Sequence, residues 1–380
     1  MNRLQLCKVV SVVFLACSLA SAQHMTTFEA PGAGTSSGQG SSGISINLEG
    51  DVLGFYADAN NVVHTFLCVS GCTSPHAFTT FEAPGAGTAN VGNNCFVPQT
   101  CQGTYAFSNN ALGVITGFFR DSSNVIHGYV TAPPYHTFTT LDEPDAGTGA
   151  NQGTFSTSVN LEGDVSGNYT DASGTSHGFV TAPPYTTYTS FDPPGSGFTL
   201  VSAALGINLE GALTGEYFDA GGVAHGYVRA PNGTFTEFNV AGAGTGSGQG
   251  TESSGINDLG MITGPYFDSN GVIHGYVRSA NGDITTFDVP GAGTGAGQGT
   301  EPEGNTLLGE VVGNYIDSNG VNHAFVRSRS GKITTFDAPG ASKNPAQEGT
   351  IPQTPNLFGQ IAGFYQDANG VFHGFLRNPW

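Results

Sequence analysis

Aspartate and histidine recur together along the chain, in pairs whose two members are always six positions apart. A carboxylate beside an imidazole can act as a general acid–base pair, and both groups are common metal ligands. One catalytic centre needs only one set of residues, whereas a structural contact can recur in every copy of a repeat. We therefore interpret the pairs as structural, with aspartate capping a turn and histidine bonding to acidic groups. The pairs are Asp58/His64, Asp121/His127, Asp171/His177, Asp219/His225, Asp268/His274, Asp317/His323 and Asp367/His373.

Each pair belongs to a repeated motif, G-x-[YF]-x-D, then five residues, His and [GTA]-[FY]-[VL]. Successive histidines are 63, 50, 48, 49, 49 and 50 residues apart. Every copy also has a T-x-[FL]-[DEN] segment, which ends at Glu29, Glu82, Asp142, Asp192, Asn239, Asp288 or Asp337. Register counting across the intervening hairpin brings His274 near Asp288, so each histidine is predicted to lie between two acidic groups.

The turn residues of each copy predict four short strands, a to d. In the fifth copy we expect them at 251–256, 261–267, 272–279 and 284–288, with hairpin turns at 268–271 and 281–282. Strand b then ends, and strand c begins, at the same end of the unit as the long loop between d and the next a. We call this end the loop face and the other end the opposite face.

Four strands in about fifty residues match the blade of a β-propeller. The chain after residue 22 opens with a lone strand d at 26–29 and stops just after a strand c. That split repeat predicts that the N-terminal strand completes the last blade and closes a ring, which the rival, a β-helix, would not need. We predict an all-β, seven-bladed β-propeller with four-stranded blades over residues 23–380.

Copies such as His323-Ala-Phe-Val326, preceded by Gly320-Val-Asn, resemble the extracellular HAF-repeat family. The resemblance covers the whole chain after residue 22, although most copies here read His-Gly-Phe or His-Gly-Tyr. It implies export and a repeat architecture, and no particular chemistry.

Residues 1–22 have the pattern of a secretory signal peptide. Arg3 and Lys8 precede an apolar stretch at 9–19, and Ala20-Ser21-Ala22 is a cleavage site; lipid attachment at Cys17 is the alternative. A secreted, extracellular or periplasmic location follows, and no later segment is apolar enough to span a membrane.

Four cysteines remain after residue 22: Cys68, Cys72, Cys95 and Cys101. In an exported protein they suggest two disulfides, for which three connectivities are possible. We favour the local pairs Cys68–Cys72 and Cys95–Cys101; a zinc site is the rival.

The formal net charge of −19 argues against nucleic acid and anionic membranes as partners. The D-x-N-G turns lack the further oxygen ligands that a calcium loop needs. We therefore expect no metal and no cofactor.

Candidate ligand-binding residues lie on the predicted loop face. Gln39, Gln152, Gln249 and Gln298 each precede a glycine in a d–a loop; their amides would suit sugar hydroxyls or tie the loop down. Arg120 would bind a carboxylate or, the favoured alternative, pair with Asp121. The second copy has extra residues near 87–103, which either wall a site or are a tolerated insertion. Four arginines on strands c, Arg229, Arg278, Arg327 and Arg377, are expected to pair with acids or face solvent.

No nucleophile elbow, zinc-protease motif or catalytic triad order stands out. We predict a secreted, monomeric protein that binds an extracellular carbohydrate or a surface protein through the loop face. A polysaccharide lyase or hydrolase is one alternative, and a purely structural envelope or matrix protein is another, so whether the chain is an enzyme stays open.

Overall fold

The computed structural model describes residues 25–91, 95–96, 99–197, 201–345 and 347–379. The predicted signal peptide, 1–22, lies outside the described residues. The regular secondary structure of the described chain consists of short strands, most of them paired antiparallel, and two 3₁₀ turns, Ser70–Cys72 and Pro75–Ala77. No helix in the described part of the chain is long and apolar enough to cross a membrane.

The strands, grouped as they pair, are β1 Met25–Phe28; β2 Gly40–Ile46, β3 Val52–Ala57, β4 Val63–Cys68, β5 Phe78–Phe81; β6 Gly103–Asn109, β7 Ile115–Arg120, β8 Ile126–Thr131, β9 Phe138–Leu141; β10 Gly153–Val159, β11 Val165–Thr170, β12 Ser176–Thr181, β13 Tyr188–Phe191; β14 Val201–Ile207, β15 Leu213–Phe218, β16 Ala224–Arg229, β17 Phe235–Phe238; β18 Gly250–Thr251, β19 Gly255–Ile256, β20 Ile262–Phe267, β21 Ile273–Arg278, β22 Ile284–Phe287; β23 Gly299–Asn305, β24 Val311–Ile316, β25 Asn322–Arg327, β26 Ile333–Phe336; and β27 Thr350–Pro355, β28 Ile361–Gln366, β29 Phe372–Arg377.

Within each group the strands pair antiparallel in chain order, as the repeat predicts. In the fifth copy, β20 pairs with β21 and β21 with β22, so the predicted strands b to d are confirmed to within a residue or so. Strand a of this copy is divided into β18 and β19, both paired with β20. The break lies opposite Pro265, which has no N–H to donate to the ladder.

The two ends of the described chain meet. Strand β1 pairs antiparallel with β29, with Met25 opposite Arg377 and Phe28 opposite Gly374. A parallel bridge joins Gly40 to Phe372, where a Cβ on Gly40 would overlap the Phe372 carbonyl. This pairing confirms that the N-terminal strand completes the last group of strands.

Neighbouring groups are joined by side chains at both ends of strand a. At the loop face, a buried hydroxyl of the next strand a accepts a backbone N–H just after strand d, as Thr251 does from Val240 at 2.9 Å. At the opposite face, an asparagine after strand a caps its own turn and donates to the next group, as Asn160 does to the Asn208 carbonyl at 3.1 Å. The same contact joins Asn356 to the Asn47 carbonyl at 3.0 Å, across the chain ends.

One set of fully buried core residues consists of aromatic rings on strands c, packed between groups. Their positions are the [FY] of the histidine motif, and each ring is at most 1% exposed: Phe66, Tyr129, Phe179, Tyr227, Tyr276, Phe325 and Phe375. The motif glycine on strand b makes room for them, since a Cβ on Gly54 would overlap the ring of Phe66. Core packing thus explains two of the invariant letters of the repeat.

The strand-c arginines make a contact that the sequence analysis did not anticipate. Each guanidinium lies over a phenylalanine at the end of the preceding strand d. The centroid distances are 4.6–4.9 Å, for Arg229 over Phe191, Arg278 over Phe238, Arg327 over Phe287 and Arg377 over Phe336. A weakly hydrated, planar guanidinium stacks on an aromatic face more readily than an ammonium would.

Both favoured disulfides are present. Cys68 is bonded to Cys72 between β4 and β5, on the opposite face. Cys95 is bonded to Cys101 in the extra loop of the second copy, on the loop face. The local pairing is therefore confirmed, and the zinc alternative is wrong for these cysteines.

Candidate functional site

The repeated histidines form one contact pattern at the loop face. In the fifth copy, His274 Nδ1 lies 2.9 Å from Asp288 Oδ1 and its Nε2 lies 3.9 Å from Asp268 Oδ2. The imidazole stacks on Tyr266, the aromatic letter of the motif, with 4.9 Å between ring centroids. Corresponding contacts occur in the other copies, including His373 with Glu29 across the chain ends. Each histidine therefore lies between two polar acceptors, but in every described copy Nε2 is 3.6–3.9 Å from the turn aspartate, beyond hydrogen-bond distance.

The third copy corrects the expectation that the imidazole bonds two acidic groups. His177 Nδ1 lies 2.8 Å from Asp192 Oδ1, but its Nε2 lies 3.7 Å from Asp171 Oδ2, which is too long for a hydrogen bond. Asp171 is held by its own turn, because its Oδ1 accepts the N–H groups of Ser173 and Thr175 at 2.9 and 2.8 Å. The prediction of two bonds is therefore wrong for His177, which makes one bond and one longer electrostatic contact.

The fourth copy departs further from the prediction. His225 Nδ1 lies 3.0 Å from the amide oxygen of Asn239, because strand d of this copy ends in asparagine instead of an acid. The carboxylates of Asp219 and Glu237 are each 3.6 Å from the ring, beyond hydrogen-bond distance. The prediction that two acids bond the imidazole is thus wrong for His225, whose one hydrogen-bond partner among the described residues is neutral.

The turn aspartates are fixed by backbone amides. Asp219 Oδ1 accepts the N–H groups of Gly221 and Val223 at 2.8 and 2.9 Å. The Val223 amide, which stabilises the ionised form, lowers the pKa of Asp219. The hydrogen bond to Asp142 raises the pKa of His127. These groups already have partners, which fits a structural role.

The loop glutamines also bond internally. Gln249 Oε1 accepts the Gly246 N–H at 2.9 Å, and Nε2 donates to the Ser269 carbonyl in the b–c turn at 3.1 Å. Both ends of the amide are also used in Gln39, Gln152 and Gln298. This geometry fits the alternative that they tie down the loop, and sugar contact through them stays a prediction. Sequence reasoning missed Gln102, which precedes a glycine and bonds in the same way.

Arg120 bonds to the inserted loop of the second copy. It is 8% exposed; Nε donates to the Gln99 carbonyl at 2.6 Å and Nη1 to Asn151 Oδ1 at 2.9 Å. Among the residues that the structure describes, Arg120 makes no ion pair with Asp121, so that expectation is wrong. The two acceptors draw the guanidinium away from the turn, and burial lowers its pKa.

The inserted loop reaches two neighbouring groups of strands. Its Phe96 stacks on Phe372 with 3.9 Å between centroids and lies 5.4 Å from the Phe55 ring. Phe372 and Phe55 belong to the last and first groups, while the loop itself precedes β6. Phe96 and Gln99 thereby line a cavity that the repeat alone would not enclose.

This cavity, which we call the central cavity, has a volume of about 410 Å³. The first strand (strand a) of each of four copies contributes residues to its lining, so these four strands face one another around a shared space. The residues are Ser42 and Ile44 on β2, Phe107 on β6, Glu301 and Glu303 on β23, and Ile351 and Gln353 on β27. The remaining lining residues come from strands b, from β25 and from d–a loops: Phe55, Asn314, Ile316, Phe364, Asn322, Phe96, Gln99 and Glu348.

The central cavity is asymmetric. One part of its wall is aromatic, with Phe55, Phe96, Phe107 and Phe364; another is polar, with Glu301, Glu303, Glu348, Asn314 and Asn322. On the polar wall, Asn314 Nδ2 donates to Glu301 Oε2 at 2.7 Å and to Asn322 Oδ1 at 3.0 Å.

Burial and mutual repulsion act on these carboxyls. Burial, and then the charges of Glu301 and Glu348, raise the pKa of Glu303 to about 8. Burial also raises the pKa values of Glu301 and Glu348. Two further glutamates outside the lining are affected in the same way, since burial raises the pKa of Glu252 to about 7 and that of Glu216 to about 8.

Sequence reasoning missed the central cavity because it followed the constant letters of the repeat. The signal is in the variable ones. The x of G-x-[YF] is Phe55, Phe118, Asn168, Glu216, Pro265, Asn314 or Phe364. The residue two after the glycine at the start of strand a, or just before it, is Ser42, Tyr105, Phe155, Glu252, Glu301 or Ile351 in the copies that the structure describes there. Aligning the copies at these positions separates an aromatic run from an acidic one.

Within the described residues no cluster of three or more His, Cys, Asp or Glu side chains could hold a metal ion. The carboxyl and amide oxygens of the polar wall can accept hydrogen bonds.

No family model and no curated protein matches the chain. Solved structures do. The BP39L lectin from Burkholderia pseudomallei matches with a TM-score of 0.54 and 10% identity, over 89% of this chain and 96% of the lectin. A puromycin-hydrolyzing peptidase from Mycobacterium tuberculosis matches with a TM-score of 0.51 and 9% identity, over 90% of this chain and 53% of the peptidase. At such identities the likeness shows the fold alone, and with the strand pairing it defines an all-β β-propeller.

Proposed function

We propose that the protein binds carbohydrate and that the central cavity takes a sugar unit of one or two rings. The observation that carries this proposal is the pairing of an aromatic wall with a wall of carboxylates and amides in one cavity. The apolar C–H face of a pyranose packs on aromatic rings, and its hydroxyls donate to carboxylate and amide oxygens. A volume of about 410 Å³ lies in the usual range for small-molecule sites.

The kinship in fold with a lectin supports this proposal without identifying a sugar. The charge of the protein indicates which class of sugar would bind. The chain carries a net −19 and the cavity wall is acidic, so uronate or sulfate groups would be repelled. A neutral or positively charged sugar is the ligand class that the wall favours.

We further infer the setting of this site. Residues 23–380 would form one monomeric ring of seven four-stranded blades, exported through the segment 1–22 as the HAF-repeat resemblance implies. The two disulfides suit an oxidising compartment. The repeated Asp/His pairs would act as structural contacts rather than as chemistry.

The test is direct binding of purified protein to a panel of neutral, acidic and amino oligosaccharides, measured by calorimetry. We expect neutral or amino sugars to bind and uronates not to bind. Binding of none of them, or binding that survives loss of Phe96, would contradict the proposal.

A second candidate function is glycoside hydrolysis in the same cavity. It is favoured by carboxyls that share one cavity, one with a pKa raised to about 8, as a general acid requires. Incubation of each bound oligosaccharide with the protein, followed by an assay of reducing ends, separates the two. Unchanged sugar supports a binding protein, and released sugar that disappears in Glu303→Gln supports an enzyme.

A further inference from the structure

We propose that the central cavity selects a sugar that carries a free ammonium group, an amino sugar, over its acetylated and neutral counterparts. This inference rests on the proposed function and names the ligand class of the same site.

The first argument is the charge of the lining. Three carboxyl side chains, Glu301, Glu303 and Glu348, line the cavity, and no basic side chain lies among the described lining residues. In a partly desolvated space a lone carboxylate is costly, and a cation placed against it removes that cost.

The second argument is that Glu303 has no partner of its own. Glu301 accepts from Asn314, whereas the carboxyl of Glu303 makes no hydrogen bond or ion pair with any residue in the described part of the chain. Its acceptor oxygens are therefore available to a donor from the ligand, and an ammonium supplies three donors.

The third argument concerns buried acceptors. Asn314 is 2% exposed; its Nδ2 serves Glu301 and Asn322, and its Oδ1 is unpartnered. Ser42, which is fully buried and also lines the cavity, has an unpartnered Oγ. Buried polar atoms are normally satisfied, so these two point to a missing partner. Asn314 Oδ1 can only accept, and the Ser42 hydroxyl can accept or donate, so both can bond a ligand that is rich in donors.

The fourth argument is that the rest of the wall suits a sugar ring rather than a bare ion. Phe96 and Phe55 present apolar rings within the same cavity, and an aromatic face also attracts a cation. A short aliphatic polyamine would leave these rings without the C–H face that a pyranose supplies.

The experiment compares four probes by calorimetry at pH 7 with the full mature chain: the glucosamine disaccharide, its N-acetylated form, cellobiose and putrescine. We expect the amino disaccharide to bind at least about tenfold more tightly than the other three, which is about 1.4 kcal/mol. Equal or tighter binding of the acetylated form or of cellobiose overturns the inference while leaving carbohydrate binding intact. Tightest binding of putrescine overturns it too, in favour of a polyamine.

Two variants test whether Glu303 is responsible for the preference for the amino sugar. In Glu303→Gln we expect the preference for the amino form to fall to about threefold or less, because a neutral amide of similar shape replaces the carboxyl that a bound ammonium would keep ionised. The matched control Glu162→Gln, an exposed acid on the opposite face, should keep the full preference. A preference that persists in Glu303→Gln overturns the inference. If no probe binds at all, the proposed function itself fails.

Discussion

Two regions of this propeller, the histidine contacts at the loop face, which we call the rim, and the central cavity, which we call the centre, are built from the same repeat but differ in how constant their residues are. At the loop-face rim, every described copy places a histidine between two acceptors and stacks it on an aromatic ring, as His274 does on Tyr266. In the central cavity, corresponding positions carry different chemistry: Phe55 on strand b in one copy is Asn314 in another. The rim is nearly uniform and internally satisfied, whereas the centre is varied and contains unpartnered acceptors. In a ring of repeats, uniform residues hold the frame, and a site arises where copies differ.

The largest expected effect comes from a substitution in the central cavity that leaves the histidine contacts of the rim unchanged. Phe96→Ala removes the ring that stacks on Phe372 and lines the cavity. We expect sugar affinity to fall about a hundredfold, because a stacking surface is lost, and stability to fall by roughly 3 kcal/mol or more. Calorimetry and thermal unfolding measure the two effects.

Its matched control is Phe358→Ala, which removes a ring that is 60% exposed on the opposite face. The control should bind sugar as the wild type does. Unchanged affinity in Phe96→Ala would mean that the inserted loop takes no part in binding.

The next largest effect comes from a substitution that removes one histidine contact of the rim and leaves the central cavity unchanged. His274→Ala leaves Asp288 without its imidazole partner and uncovers Tyr266. We expect a loss of roughly 1–3 kcal/mol in the free energy of unfolding and an unchanged sugar affinity. Thermal or denaturant unfolding measures the first quantity, with the exposed His136→Ala as control. A variant that keeps its stability but loses binding would reverse the structural interpretation of the histidines.

A pH titration sharpens the comparison because rim histidines and cavity carboxyls act in the same direction. The folded pKa is raised above the unfolded value for Glu303, to about 8, and for His127 and His373. Such groups stabilise the fold fully below their unfolded pKa, and this contribution is lost as the pH rises through the folded pKa. The melting temperature should therefore be higher near pH 5 than near pH 8.5, by at least about 2 °C.

Glu303→Gln should reduce this slope, since one of the carboxyls is removed. Below about pH 4 the trend reverses, because turn aspartates such as Asp219 have lowered pKa values and lose their contribution on protonation. A melting temperature that rises steadily from pH 5 to 8.5 would contradict the raised pKa values of the cavity carboxyls.

The smallest effect concerns the contacts between groups on the opposite face. Arg278→Met keeps the aliphatic stem and removes the guanidinium over Phe238. We expect a loss of about 0.5–2 kcal/mol, since the cation–π contact is partly buried. Unfolding in denaturant measures it, and the exposed Arg329→Met should be neutral. Equal effects of the two variants would remove the stacking interpretation.

The sequence alone determined the frame. Constant letters at constant spacing predicted the strands, the turns, the closure by β1 and the contact of His274 with Asp288, because short-range turn chemistry and hairpin register suffice for these. Four cysteines in a predicted exported chain were enough to expect two disulfides, and the favoured local pairs are the ones present. The partners of Arg120 and Arg278 were beyond this reasoning, since they lie in a neighbouring loop and a neighbouring strand group.

Register counting reached its limit at the second contact of each histidine. It places His177 beside Asp171 and His225 beside Asp219, but it does not fix the side-chain distances. Those distances, 3.7 and 3.6 Å, are set by the turn amides that already hold each aspartate. Neighbours in register are therefore not always hydrogen-bonded partners.

Only the tertiary structure decided the site. Phe55 belongs to the first copy, whereas Glu303 and Asn314 belong to the sixth, and all three occupy variable letters that carry no local signal. Closing the ring brings their strands around one space, and the inserted loop with Phe96 completes its wall. The pKa of Glu303 is raised there because desolvation and mutual repulsion depend on what surrounds a group in space and not on its neighbours in sequence.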